Sequence, residues 1–311
     1  EVVSDTAAGG LIGRIGGETT STPPTMTDIS KSFNEGGVSG KQYAGGLVGQ
    51  IEMNSTSRYT TITQSYNTGN VTSSEGRAGG IMGSNERIGA TATAAERISS
   101  VYSSGTVTGA LGAGYISGAA TRNTNYYTAC YALSGSAESA VDVDNVTTKT
   151  AEELSSAAFA WELDAGKGIW SQGNPGPVFA TDAVSAVYRL AIAAVEGSTV
   201  TGLSGDGYYR SGSTVKLTVT PDEGKVVKSW TVTAGGAVIA KDSGNPSFTM
   251  PKSDAVLTVE CVDKTAEEFT VTFHGNGGLI NGQESFTVTV AAGGKAPANI
   301  CLPVRFPIMI R

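Results

Sequence analysis

One short phrase recurs four times in the first third of the chain. It reads Ala8-Gly9-Gly10-Leu11-Ile12-Gly13, then Ala44-Gly45-Gly46-Leu47-Val48-Gly49, then Ala78-Gly79-Gly80-Ile81-Met82-Gly83. A looser copy follows at Ala113-Gly114-Tyr115-Ile116-Ser117-Gly118. One glycine column steps from 9 to 45 to 79 to 114, a period of 36, 34 and 35 residues. A fixed period of this length predicts stacked supersecondary units, because a single unit cannot bury its own apolar face.

A second half precedes the later copies. It runs from Ile29 through Ser32-Phe33-Asn34 and Gly36 to Val38, from Ile62 through Ser65-Tyr66-Asn67 and Gly69 to Val71, and from Ile98 through Val101-Tyr102-Ser103 and Gly105 to Val107. A partial copy spans Asn125-Tyr126-Tyr127 to Cys130-Tyr131. Apolar residues at strand-like spacing, with Asn and Gly at the corners, predict a β-solenoid of about 35-residue coils. The polar insertions 18–28, 52–61 and 84–97 are expected to project from one side as loops. The first copy lacks its upstream half, which reads as a fragment of a longer polypeptide.

These paired phrases resemble the GLUG-motif repeats of bacterial surface proteins, over roughly residues 1–133. The resemblance implies a secreted or cell-surface setting, as in adhesins and the non-catalytic regions of immunoglobulin-A-cleaving proteases. The last copy departs from the pattern, with Tyr115 for Gly and Ser117 for an aliphatic residue, as suits a terminal coil.

Residues 134–182 read as a capping or linker segment. Thr150-Ala-Glu-Glu153 is a capping box, and Leu154, Ala158, Trp161 and Leu163 continue at helical spacing toward Gly166. A short helix within 150–166 is predicted to cover the last coil, since an open stack end is an aggregation edge. In GLUG-containing proteins a similar helix, Trp and Pro segment closes the array, a place taken here by Trp170 and Pro175-Gly176-Pro177.

Residues 183–264 alternate as short strands: Tyr188–Ile192, Thr214–Val219, Val226–Val232, Ser247–Met250 and Ala255–Glu260. The run Gly212 to Pro221, then Gly224 before the Trp230 strand, then Phe248-Thr-Met-Pro251, resembles the divergent InlB B-type repeat. Residues 265–311 open with Phe269–Phe273 and a Gly277-Gly278 turn, continue with Phe286–Val290, and are similar to the Listeria–Bacteroides repeat. The tail from Asn299 matches neither pattern. The expected fold is therefore all-β: a solenoid with a short capping helix, then small β-sandwich or β-grasp-like modules.

Composition narrows the chemistry. The net charge is −7 with no Lys/Arg run, which excludes a phosphate-binding face and so nucleic acid. His274 is the only histidine, so HExxH zinc chemistry is excluded. No G-x-S-x-G elbow is present, and His274 sits in a glycine turn with no carboxylate or nucleophile beside it. Asp142-x-Asp144 lacks the glycine and distal Glu of a calcium loop and reads as a solvated turn. Cys130, Cys261 and Cys301 are far apart and read as free thiols, with one 261–301 bridge as the alternative. No stretch reaches the roughly 20 apolar residues of a membrane span. No catalytic residue, metal site or cofactor is expected.

Phe33, Tyr66 and Tyr102 hold one position in successive coils, and a core or corner column is expected there rather than a sugar-stacking ladder. Tyr59, Tyr126, Tyr127 and Tyr131 are freer, and Tyr59, Tyr126 and Tyr127 are the candidate ligand-facing residues. The expected function is a non-catalytic adhesin fragment at the bacterial surface, binding a host protein or glycan through its loops, with β repeats as spacers. The alternatives are an accessory region of a large secreted immunoglobulin-A-cleaving type protease, or a purely structural spacer.

Overall fold

A computed structural model describes residues 1–16, 25–52, 58–85, 98–119, 127–138, 140–142, 144, 146–241, 244–265, 268–274, 279–280 and 282–294. The fold is all-β apart from short helical turns.

Each repeat folds as one coil that contributes to four parallel sheets. The first sheet stacks Val2–Ser4, Val38–Gly40, Val71–Ser73 and Val107–Gly109. The second stacks Ala7–Gly9, Tyr43–Gly45, Arg77–Gly79 and Gly112–Gly114. The third stacks Ile12–Ile15, Val48–Ile51 and Met82–Asn85. The fourth stacks Thr25–Ser30, Arg58–Asn67, Ile98–Ser103, Tyr127–Leu133 and Thr147–Lys149. Pairing follows the sequence repeat: Ala8, Ala44, Ala78 and Ala113 form one column, and Ile29, Ile62, Ile98 and Tyr127 another.

Period-two patterning explains the burial. Val38, Val71 and Val107 point into one continuous core, while Thr72 and Thr108 beside them stay outside. The glycine phrase is what lets coils approach. A Cβ on Gly46 would overlap the backbone oxygen of Gly80 and the Asn67 side chain. At each boundary one carbonyl accepts two N–H groups. Leu11 and Ile12 both donate to Leu47 O at 3.0 Å, Leu47 and Val48 to Ile81 O at 2.8 and 3.0 Å, and Ile81 and Met82 to Ile116 O at 2.9 and 2.8 Å. The expected loops 18–28 and 52–61 end earlier than their sequence suggests, because 25–28 and 58–61 belong to fourth-sheet strands. The insertion residues 18–24, 53–57 and 86–97 lie outside the described residues.

The capping box is present: Glu153 N donates to Thr150 Oγ1 at 3.2 Å, and Thr150 N donates to Glu153 Oε2 at 2.7 Å. One helix over 150–166 does not form. The chain makes α1 (Ala151–Leu154) and α2 (Ala157–Glu162), because the hydroxyl of Ser156 accepts from Phe159 N at 3.1 Å and starts a second cap. These helices pack on the aromatic side of the coils, α1 beside the last strand Thr147–Lys149 and Phe159 of α2 against Tyr102 and Tyr131. Tyr66, Tyr102, Tyr131, Leu154, Phe159, Leu163, Trp170 and Val187 form a second core there.

Beyond this core, a five-stranded sheet has the order Tyr208–Arg210, Val187–Ile192, Ala255–Asp263, Lys225–Ala234, Ala237–Lys241. Trp230, Val232 and Leu257 on its inner face pack against Val215, Leu217, Val219, Phe248 and Met250. Two small antiparallel pairs carry Val215, Val219 and Phe248: Ser198–Thr201 with Thr218–Pro221, and Thr214–Lys216 with Ser247–Thr249. The run Thr214–Val219 is thus two strands that serve different partners. A final antiparallel ribbon pairs Glu268–His274 with Ser285–Ala291.

Candidate functional site

The chemically unusual part of the stack is its closed end. After the strand Tyr127–Leu133 the chain completes one more, abbreviated turn. Val107 N donates to Ser136 O at 2.7 Å on the first sheet, and Val141 N donates to Ala113 O at 2.9 Å on the second. Thr147–Lys149 adds the last strand of the fourth sheet. On the third sheet a side chain replaces a strand. Asp142 Oδ1 accepts from Tyr115 N at 2.8 Å, and Oδ2 accepts from Ile116 N at 2.9 Å and Ser117 N at 2.8 Å. The pattern copies the carbonyl that accepts twice at every earlier boundary. Asp142 is therefore buried, which corrects the reading of a solvated turn. Burial pushes its carboxyl above the usual carboxylate range, and the three backbone N–H groups oppose that rise only in part.

The second candidate is the aromatic column. Phe33 and Tyr66 stack at 5.1 Å and 12°, and Tyr66 and Tyr102 at 5.2 Å and 6°. Tyr66 and Tyr102 are covered and only Phe33 at one end is exposed, which leaves no long open ladder for a sugar. Trp170 meets Tyr66 and Tyr102, Phe159 meets Tyr102 and Tyr131 edge-on, and Tyr102 Oη donates to Pro177 O at 2.6 Å. Burial, helped by nearby Glu35, lifts the Tyr66 phenol to about 12, and burial lifts Tyr102 further. Lys149 pairs with Glu162 at 2.8 Å and sits 5.2 Å from the Tyr131 and Phe159 ring centroids.

Of the candidate ligand-facing tyrosines, only Tyr127 has a described side chain, and it does not face outward. Tyr127 is 9% exposed and belongs to the coil core, because it occupies the column of Ile29, Ile62 and Ile98. Tyr131 is buried in the second core. Tyr59 belongs to the strand Arg58–Asn67, and Tyr126 lies outside the described residues. His274 is exposed at a strand end. Cys130 is buried, and desolvation raises its thiol well above the usual range, which removes it as a nucleophile. Cys261 is a free thiol, while Cys301 lies outside the described residues. Among the described residues no group of His, Cys, Asp and Glu could hold a metal ion, and no helix is long and apolar enough to cross a membrane.

Residues 188–267 match the family model of the divergent InlB B-repeat domain. This span holds the five-stranded sheet and its cover. No curated protein matches the chain. A solved structure described as a putative immunoglobulin A1 protease from Bacteroides ovatus aligns at 20% identity with a TM-score of 0.39, covering 57% of this chain and 54% of that one. The alignment thus spans about half the length of that neighbour.

Proposed function

We propose that this chain is a non-catalytic part of a bacterial cell-surface protein, in which a GLUG-type β-solenoid over 1–133 presents binding loops. Residues 134–182 close and brace the solenoid. The β repeats of 183–264 and 265–311 act as spacers. The divergent InlB B-repeat at 188–267 supports the surface setting. The partner is a host protein or glycan, engaged by several weak contacts whose avidity grows with their number.

One observation carries this reading. The third-sheet strands Ile12–Ile15, Val48–Ile51 and Met82–Asn85 end, and the fourth-sheet strands Thr25–Ser30, Arg58–Asn67 and Ile98–Ser103 follow them in the chain, at the same step of each coil. The repeated glycine phrase is core: Leu47, Val48, Ile81, Met82 and Ile116 are fully buried. The sequence between those two strands differs in length and residues from repeat to repeat, and recognition is assigned to it. Binding of the whole chain to glycan arrays and host-matrix proteins tests this. Replacing 53–57 and 86–97 with Gly/Ser linkers is expected to abolish binding with an unchanged melting midpoint. Full binding after both replacements overturns the reading.

A further inference from the structure

A cleft of about 500 Å³ opens where the brace meets the B-repeat. It is lined by Ser155 from the helical part of the brace, by Gln172, Gly173 and Asn174 after the strand Trp170–Ser171, and by Arg210 of the B-repeat. That volume lies within the roughly 300–1,000 Å³ of small-ligand sites, and a joint between two modules is a favoured place for one.

The cleft is held in shape from both sides. Arg210 ends the edge strand Tyr208–Arg210, where it pairs with Val187, and its carbonyl accepts from Ser213 N at 3.2 Å and Ser213 Oγ at 2.6 Å. Its guanidinium crosses to the brace, where Nη2 donates to Gln172 O at 2.7 Å. Gln172 Nε2 donates in turn to Ser155 O at 2.9 Å.

The groups left over define a ligand. A guanidinium carries five N–H groups in a planar fork, and Gln172 O takes up one of its ends. Arg210 has no carboxylate partner among the described residues. The Asn174 amide and Gln172 Oε1 make no hydrogen bond among the described residues. No acidic, aliphatic or aromatic side chain lines the cleft. A carboxylate fits the fork of Arg210, and hydroxyl groups, which both donate and accept, fit the amides beside it. An apolar ligand finds no wall to cover it. An acidic peptide brings the carboxylate without the adjoining hydroxyls.

We propose that this cleft is a binding site, built from no insertion residue, for a sugar that carries a carboxylate, of the uronic or sialic kind. Arg210 takes the carboxylate, while Asn174 and Gln172 Oε1 take the ring hydroxyls. The site draws on both modules, so it exists only where the brace and the B-repeat are joined.

Calorimetric titration of the full chain with glucuronate, N-acetylneuraminate and glucose tests the site. One of the two acids is expected to bind with a dissociation constant of about 1 mM, and glucose about tenfold more weakly. Arg210→Lys, which keeps the charge and loses the fork, is expected to weaken binding about tenfold. Asn174→Ala breaks no bond within the protein, so it should weaken binding about fivefold with an unchanged melting midpoint. The chain with 53–57 and 86–97 replaced by linkers should bind the acid as the original does, which separates this site from the insertions. No saturable binding of either acid at about 10 mM overturns the proposal. Equal binding of glucose, or original affinity in both variants, also overturns it, as does loss of binding on linker replacement. Tighter binding of a glutamate-rich peptide or of inorganic phosphate overturns the assignment to a sugar.

Discussion

Asp142 Oδ2 accepts from Ser117 N at 2.8 Å, and in doing so stands where Ile81 O stands for Val48 two coils earlier, at 3.0 Å. A carboxylate with two oxygens on one carbon serves the three amides of the last glycine phrase without needing a further strand. Sealing the end this way removes an edge that would otherwise template pairing. Asp142→Ala strands three buried donors, so it is expected to cost about 3 kcal/mol in urea unfolding. Asp142→Asn keeps one acceptor oxygen and should cost about half as much.

The pH dependence of this seal has a defined sign. Burial raises the folded carboxyl of Asp142 above its unfolded value of about 3.9, so folding favours the protonated form. Its contribution is full below the unfolded value and declines as pH rises through the raised folded value. Asp164 shifts in the same direction, again chiefly by burial. Comparison with Asp142→Asn isolates the first group. The stability difference between the original chain and Asp142→Asn should shrink from pH 4 to pH 7, read from paired denaturation curves.

The coil phrase has no room for a methyl group. On Gly46 it would meet Gly80 O and Asn67, and on Gly45 it would meet Val48 O. Gly46→Ala is expected to destabilise by about 3 kcal/mol or more, through forced separation of coils. Gly135→Ala serves as a comparison, since nothing lies near a Cβ there and its left-handed φ of 76° is the sole objection. It should cost about 1 kcal/mol.

The aromatic column binds the brace to the coils. Tyr102→Phe removes the buried bond to Pro177 O and is expected to cost about 1 kcal/mol, whereas Tyr102→Ala should cost about 4 kcal/mol by opening a cavity under Trp170 and Phe159. Thermal unfolding of both variants checks the ratio.

The brace also ties the coils to the B-repeat. Trp161 Nε1 donates to both oxygens of Asp254 at 3.0 and 3.1 Å, and Arg189 N donates to Asp254 Oδ1 at 2.8 Å. Asp254→Ala should lower stability by about 1 kcal/mol and split one calorimetric transition into two.

Much of this was legible in the residues. The period fixed which residues stack, since Ile29, Ile62, Ile98 and Tyr127 share one column, and the Thr150 capping box marked a helix start. The alternation around Val215 and Leu217 located the B-repeat core. Asp142 was not legible, because its role depends on three amides some 25 residues away in sequence that only the abbreviated turn brings to it. Tyr127 misled because a tyrosine next to another polar run looks like surface, yet register places it in an isoleucine column. The side-on packing of α1 and α2 was hidden for a similar reason: it depends on Phe159 and Trp170 meeting a column assembled from three coils. The signal for it was the recurrence of an aromatic residue at one coil position, which demands a cover.

Amide hydrogen exchange at Tyr115, Ile116 and Ser117 tests the sealed stack most directly. The account predicts protection close to that of Leu47 and Val48 in the interior coils, and its loss at all three positions together in Asp142→Ala. Exchange of these three amides at the rate of a frayed end in the original chain would contradict it.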